Sequence, residues 1–204
     1  MGSAAAILLA AGESSRMKEM KALLPWGDTD LLGYSIKTII AAGFAPLVIV
    51  LGYQYALLEA RIPRGFTTVV NNSYADGKSS SIKIGIETLS SMRLTPSSIL
   101  IASVDQPRST ELLQDLRESM ENTSKEVMVS SPILEGKVGH PILFNSSLTE
   151  ELLSINEETQ GIRAIVSRHQ NNRILVPTKD RLALTNLNTI SEYRNAHSLY
   201  KASC

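Results

Sequence analysis

The chain has 204 residues, of which 43% are hydrophobic and 20% are charged, which is enough apolar sequence to bury the core of one globular domain. Twenty lysines and arginines balance twenty aspartates and glutamates. Because these charges are scattered along the chain, they argue against a nucleic-acid or membrane-surface partner and favour a small molecule. The single cysteine, Cys204, excludes an internal disulfide and a cysteine-based metal cluster.

The apolar opening from Ala4 to Ala11 has no basic residue before it and runs directly into a polar stretch that begins at Glu13. We therefore expect neither a signal peptide nor a membrane span. No long Pro/Gly/Ser linker divides the sequence. These features predict a single domain over residues 1–204 in a cytoplasmic protein.

Short apolar runs alternate with helical periodicity along the chain. The predicted strands are AAAILLA from Ala4, PLVIVLG from Pro46, TTVVN from Thr67, SSILIASV from Ser97, EVMVSS from Glu126, HPILF from His140, RILVPT from Arg173 and LALTNL from Leu182. The predicted helices are LLGYSIKTIIAAG from Leu31, SSSIKIGIETLSSM from Ser79, STELLQDLRESME from Ser109, and a closing helix at Thr189, where TISE offers a capping box. This alternation predicts an α/β fold with a mostly parallel central sheet flanked by helices.

The loops that follow the strands are where such sheets bind ligands. In the first loop, Ala10, Ala11 and Gly12 allow the backbone to approach a ligand, and Arg16 and Lys21 supply positive charge. Successive backbone N–H groups with two cations form a suitable cradle for a polyphosphate. The alternative is a strand-to-helix turn with solvated basic residues.

Two familiar phosphate motifs are excluded by inspection. The fragment Gly77, Lys78, Ser79 resembles the end of a P-loop, but Asn72 occupies the position of the required glycine, and G-x-G-x-x-G does not occur. Asp105 directly follows a predicted central strand, where a carboxylate can hold a Mg²⁺ ion that bridges phosphate oxygens. The alternative role for Asp105 is a helix cap.

Three further segments offer polar groups with open interpretations. The serines at 79–81 begin a helix and can bind a base or phosphate, or simply form a turn and cap. His140 opens an apolar strand, where a lone histidine is more often structural than catalytic. Arg163 can face either an anionic substrate or solvent.

Several stretches, in the same order, resemble a known family. LAAGESSRMKEMKALLPW resembles the L-A-A-G-x-S-x-R-M-G-x-x-K-x-x-L-P signature of the nucleotidyltransferases of molybdenum-cofactor biosynthesis, and is most similar to the molybdenum cofactor cytidylyltransferases. VDQP, GHPILF and QGIR are similar to the family's G-D-Q-P, G-x-P-x-L-F and G-x-R segments. The resemblance spans most of the chain and implies a Rossmann-like nucleotidyltransferase fold.

The resemblance also implies an activity: transfer of CMP from CTP to molybdopterin, with Mg²⁺ and release of pyrophosphate. The product would serve a xanthine-dehydrogenase-type molybdenum hydroxylase. The implied nucleotide-binding residues are Leu9, Ala10, Ala11, Gly12, Arg16, Lys21, Ser79, Ser80, Ser81 and Asp105. Of these, Arg16, Lys21 and Asp105 would be catalytic and Asp105 would bind the metal. The implied substrate-binding residues are Gln106, Pro107, His140 and Arg163.

The chain departs from the family pattern at identifiable positions. Lys18 and Val104 stand where the family has glycine, and Asn186 and Asn188 replace both carboxylates of the family's D-I-D-T-P-E-D segment. Asparagine there is similar to guanylyltransferase relatives, whereas Ala11 is similar to CTP users, so CTP is the predicted nucleotide and GTP the alternative. The departures are also compatible with a different small phosphate acceptor, or with a non-catalytic protein that carries the cofactor.

Overall fold

The computed structural model describes residues 3–14, 17, 19–123 and 126–203. Its strands are β1 (Ala4–Ala10), β2 (Pro25–Trp26), β3 (Thr29–Asp30), β4 (Leu47–Leu51), β5 (Thr67–Val70), β6 (Ser98–Ser103), β7 (Val129–Leu134), β8 (Lys137–Val138), β9 (Ile142–Asn145) and β10 (Arg173–Pro177). Its α-helices are α1 (Leu31–Ala41), α2 (Tyr55–Glu59), α3 (Lys78–Ser91), α4 (Thr110–Glu121), α5 (Thr149–Ser154), α6 (Ile162–Arg168) and α7 (Ile190–Ser203).

The main sheet has the strand order β10-β7-β9-β6-β1-β4-β5. β1 pairs in parallel with β4 on one side and with β6 on the other, and β4 pairs in parallel with β5. β9 runs antiparallel to both β6 and β7, while β10 is parallel to β7. β8 pairs antiparallel with β7, and β2 and β3 form a separate hairpin. The mostly parallel α/β sheet predicted from the sequence is thereby confirmed.

The central strands are buried on both faces, as their unbroken apolar composition predicts. Every residue of β1 and β4 is buried. The even-numbered residues of β1 pack into a cluster with α1, α4 and α7, and the odd-numbered ones into a second cluster with α3, α5 and α6. The two helical layers hold the sheet between them, so the carboxyl ends of β1 and β6 have a fixed position.

One predicted strand is wrong. LALTNL forms a 3-10 turn over Arg181–Leu184 and then an irregular segment. The Asp180 carboxylate accepts a hydrogen bond from the Leu182 N–H at 2.8 Å, which favours a turn over an extended strand. Leu182 and Leu187 are nevertheless buried in the core, so the apolar alternation reflects burial rather than sheet pairing.

The closing helix begins as the sequence predicts. The Glu192 N–H donates to Thr189 Oγ1 at 3.2 Å, and the Glu192 carboxylate accepts from the Asn188 N–H at 2.9 Å. The short elements α2, α5, α6, β8 and the β2–β3 hairpin were not predicted. Within the described ranges, no helix has the length and apolar character needed to cross a membrane.

Candidate active site

A cavity of about 190 Å³ lies at the carboxyl ends of β1 and β6. The loop after β1, the end of β6 and the first turn of α3 line it, together with Leu58 and Tyr74. β1 has parallel neighbours on both sides, so this is the point at which the strand order reverses and an open α/β sheet leaves a crevice. Ligand binding is therefore expected here.

Among its described residues, the loop after β1 presents backbone and the Lys21 side chain to this cavity. Leu9, Ala10, Ala11 and Gly12 all line it, and a side chain built at Gly12 would meet nothing within 4 Å. Beyond Gly12 the chain turns back, and the Lys21 N–H donates to the Ser14 hydroxyl at 3.3 Å. The loop thereby brings the Lys21 side chain to the cavity. Arg16, the second predicted cation, lies outside the described residues, as does Lys18.

Asp105 lies opposite this loop, directly after β6. Its Oδ2 is 3.6 Å from Lys21 Nζ, and the two side chains are only 15% and 11% exposed. Burial disfavours the carboxylate, but the charges of Lys78 and Lys21 and the neighbouring Ser103 hydroxyl outweigh burial and hold the pKa of Asp105 below its usual value. Asp105 is therefore ionised at neutral pH. Its Oδ1 is buried and has no hydrogen-bond partner among the described residues.

Asn186 and Asn188 lie close to the segment that carries Asp105. The Leu187 N–H donates to the Asp105 carbonyl at 2.9 Å. Asn188 Oδ1 accepts from Lys21 Nζ at 3.5 Å, and Asn186 Oδ1 accepts from Gln106 Nε2 at 2.6 Å. Lys21 thus contacts one side-chain oxygen of Asp105 and one of Asn188.

The three serines at the start of α3 have different positions. Ser81 lines the cavity and accepts a hydrogen bond from Asn71 Nδ2 at 2.9 Å. The Ser80 hydroxyl is bonded within the preceding turn, to the Gly77 carbonyl at 2.8 Å. Ser79 is buried and is not among the cavity-lining residues. The structure therefore brings one of the three predicted serines to the cavity.

Lys78 is a cation that the sequence reasoning missed. It lines the cavity, and its charge acts on Asp105, His140 and Glu157. The signal lies in the Gly77-Lys78-Ser79 fragment, which resembles the end of a P-loop although the motif as a whole is absent. Leu58 and Tyr74, which give the cavity an apolar wall, were also not predicted.

The predicted substrate-binding residues lie beside the cavity rather than in its lining. Pro107 is buried, His140 is half-buried and Arg163 is exposed in the first turn of α6. His140 and Arg163 are electrostatic neighbours, because burial first and then the charges of Arg108, Lys78 and Arg163 lower the pKa of His140 to about 4. His140 is therefore neutral at pH 7.

Comparison with known proteins places the chain in a family. The model of the MobA-like NTP transferase domain matches residues 6–173, which is most of the chain. The chain belongs to the MobA-like NTP transferase family. A search of curated protein sequences found no match.

Solved structures agree with the fold of this MobA-like NTP transferase. A nucleotidyl transferase from Methanothermobacter thermautotroptrophicus, Mth528, superposes with a TM-score of 0.80 at 19% identity, covering 99% of each chain. A manganese complex of Rv0371C from Mycobacterium tuberculosis H37Rv superposes with a TM-score of 0.72 at 21% identity, covering 96% of this chain and 98% of that chain. A cytidylyltransferase from Leptospira borgpetersenii superposes with a TM-score of 0.74 at 17% identity, covering 99% of this chain and 88% of that chain. The Rossmann-like nucleotidyltransferase fold is thereby confirmed.

The oxygen atoms beside the cavity of this MobA-like NTP transferase are of the kind that a hard divalent cation prefers. Asp105 offers a buried carboxylate oxygen without a hydrogen-bond partner in the described part of the chain, and Asn188 offers a carboxamide oxygen nearby. A group of three His, Cys, Asp or Glu side chains able to hold a metal is not found among the described residues. This pattern suits Mg²⁺ or Mn²⁺, which bind through one or two protein oxygens together with substrate phosphates.

A carboxylate from another segment occupies the amino end of α3. Glu157 Oε1 accepts the Ser79 N–H at 2.7 Å, and a side chain at Gly77 would come within 2.5 Å of the Glu157 side chain. The Ser79 hydrogen bonds and the Lys78 charge lower the pKa of Glu157 despite its partial burial. Glu157 therefore acts as a cap for the helix that carries Lys78 and Ser81.

We predict that replacement of Glu157 causes a pH-dependent loss of stability. A lowered pKa means that the Glu157 contribution is present above the unfolded value of 4.5 and is lost as the pH falls through the folded value. Glu157→Gln should lower the free energy of unfolding at pH 7 by about 0.5–1 kcal/mol. Urea unfolding at pH 7 and pH 3.5 would test this, with the exposed neighbour in Glu158→Gln as control. An equal difference at both pH values would contradict the assignment.

His140 predicts a second pH effect. Because the folded protein binds its proton near pH 4 and the unfolded chain near 6.5, this group's contribution is intact above pH 6.5 and is lost as the pH falls towards 4. We expect the free energy of unfolding to fall by about 1–2 kcal/mol between pH 7 and pH 5 because of this group, and this part of the fall should be absent in His140→Gln. Nuclear magnetic resonance titration of the imidazoles gives the direct check, and a midpoint near 6.5 for His140 would contradict it.

Proposed function

We propose that this MobA-like NTP transferase transfers CMP from CTP to the phosphate of molybdopterin and releases pyrophosphate. The observation that carries the proposal is the pairing of Lys21 with Asp105 across the cavity, with Lys21 Nζ 3.6 Å from Asp105 Oδ2. This pairing places one cation and one ionised carboxylate at the switch point of a nucleotidyltransferase sheet. These are the two charges that phosphoryl chemistry on a nucleoside triphosphate requires.

In this proposal, the residues of the cavity share the work of binding and charge neutralisation. The backbone at Ala10, Ala11 and Gly12 receives the nucleotide phosphates, and Lys21 and Lys78 neutralise the charge that develops on the departing oxygens. Asp105 would hold the divalent cation, and the Asn188 carboxamide oxygen, which also contacts Lys21, would be a second oxygen ligand. When bound, the cation supplies charge stabilisation to the phosphate oxygens.

The reaction exchanges one phosphorus–oxygen bond for another. An acceptor phosphate oxygen bonds to the α-phosphorus of the nucleotide, and the bond from that phosphorus to the bridging oxygen breaks, its electron pair leaving with pyrophosphate. The protein forms no covalent bond in this scheme, so rigid alignment and fixed charges supply most of the rate. The burial of Lys21 and Asp105 supports that role, because both side chains are held in place.

The acceptor is proposed to bind beside the cavity, on the side of His140 and Arg163. Arg163 would contact the acceptor's anionic group, and neutral His140 with Gln106 and Pro107 would line its path. This assignment follows the sequence motifs and the electrostatic proximity of Arg163 to His140. A molybdenum hydroxylase is the proposed recipient of the product.

GTP is the alternative nucleotide, and Asn186 and Asn188 favour it. Pyrophosphate release should be measured with CTP and separately with GTP, in the presence of molybdopterin and Mg²⁺ or Mn²⁺. Release with CTP supports the proposal, whereas release with GTP alone identifies a guanylyltransferase. Tight nucleotide binding without release from either would overturn transferase activity towards molybdopterin and favour another phosphate acceptor or a carrier role.

A further inference from the structure

Arg108 is a buried arginine between Asp105 and the first turn of α4, and it is only 4% exposed. Its guanidinium donates three hydrogen bonds to backbone carbonyls. Nε donates to the His140 carbonyl at 2.6 Å, Nη1 to the Pro107 carbonyl at 2.9 Å and Nη2 to the Thr185 carbonyl at 3.0 Å. One planar group thus joins three segments that are distant in sequence.

Each of these segments carries a side chain of the candidate site. The segment at Pro107 carries Asp105, the segment at Thr185 carries Asn188, and the third carries His140. Two backbone hydrogen bonds link the same segments: Leu187 N–H to the Asp105 carbonyl at 2.9 Å, and His140 N–H to the Ala183 carbonyl at 3.3 Å. Arg108 lies where the three meet, so its removal would leave three carbonyls without their donor.

Burial of the Arg108 cation costs free energy, so a contribution to fold stability alone does not explain its position. Among the residues that the structure describes, its guanidinium forms no salt bridge. Burial lowers the pKa of Arg108 to about 10, opposed by the more distant charges of Asp180 and Asp105. A buried cation without a paired carboxylate is expensive. A positioning role for the neighbouring polar segments accounts for a cation in this place.

We infer that Arg108 is a positioning residue that fixes Asp105, Asn188 and His140 in one arrangement at the edge of the cavity. The kinetic consequence of this inference rests on the proposed function. The arrangement of the three residues can be tested without substrate. Lysine cannot replace the guanidinium here, because its ammonium is a point charge that lacks the planar fork needed to reach three carbonyls at once.

The first test compares Arg108→Lys and Arg108→Met with Arg117→Lys and Arg117→Met. Arg117 is a matched control on the following helix, where it pairs with Glu121 and its side chain is 27% exposed. In Arg108→Lys, kcat for pyrophosphate release should fall by about 10²-fold with little change in KM for the nucleotide. Affinity for Mn²⁺ alone, followed by electron paramagnetic resonance on the folded variant, should fall by about 10-fold. The Arg117 variants should match the wild type in both measurements.

Values of kcat and Mn²⁺ affinity within about threefold of the wild type in Arg108→Lys would overturn the inference. If the Arg108 variants do not fold, hydrogen exchange in the wild-type protein decides. The Arg108 Nε–H should exchange about 100-fold more slowly than that of exposed Arg194. Equal exchange rates would overturn the inference. Wild-type protein that releases no pyrophosphate refutes the proposed function alone, since the metal and exchange measurements need no nucleotide.

Discussion

Asp105→Asn is expected to abolish most of the turnover while leaving the fold intact. Asparagine keeps the shape of the side chain but removes the negative charge that Asp105 brings to the lining of the cavity. Because a bound metal ion contributes several kcal/mol of charge stabilisation and each 1.36 kcal/mol is tenfold, kcat should fall by about 10³-fold. The measurement is metal-dependent pyrophosphate release, with Asp115→Asn on the exposed face of α4 as control.

The same substitution should have opposite effects on metal and on nucleotide. Mn²⁺ affinity should fall sharply, because a carboxylate is a far better ligand than a carboxamide for a hard cation. Nucleotide binding measured without metal should be unchanged or tighter, since Lys21 and Lys78 are released from their negative neighbour. Near-wild-type turnover in this variant would show that Asp105 is not the metal ligand.

The centre of the fold was predictable because a single physical cause dominates there. β1 and β4 are continuous apolar runs, and burial on both faces of a parallel sheet explains them without any long-range information. The position of Asp105 at the end of β6 follows from the same reasoning. Lys21 is a candidate because a glycine-bearing turn with nearby cations can cradle a polyphosphate, although the sequence alone leaves a turn with solvated basic residues equally open.

The parts that could not be predicted depend on contacts between distant segments. LALTNL has the alternation of a strand, but the Asp180 side chain forms a turn, and Leu182 and Leu187 enter the core from that turn and from the irregular segment after it. Lys78 lies at the amino end of α3, which is capped by Glu157, a residue 78 positions from Ser79. Arg108 has no local pattern that marks it, since two of its three partners are carbonyls of distant segments, at His140 and Thr185, whose positions the fold determines.

Lys21→Met is expected to lower kcat strongly while sparing the metal site. Lys21 is 11% exposed, and its ammonium contacts both Asp105 and Asn188. Loss of one fixed group that stabilises developing charge costs about 10²–10³-fold in kcat. Lys21→Arg should recover little of this loss, because a planar guanidinium does not reproduce the position of a compact ammonium at a largely buried site.

Measurement of Mn²⁺ affinity distinguishes the role of Lys21 from that of Asp105. Removing a cation 3.6 Å from the carboxylate relieves electrostatic competition, so affinity for Mn²⁺ alone should be equal or higher in Lys21→Met, whereas Asp105→Asn loses it. Lys37→Met is the matched control, because Lys37 pairs with Asp28 on the surface, where its side chain is 66% exposed. Turnover in Lys21→Met within about threefold of the wild type would show that the Lys21–Asp105 pair is only structural. A large loss of turnover with retained Mn²⁺ binding would instead assign the lysine to the phosphates and the carboxylate to the metal.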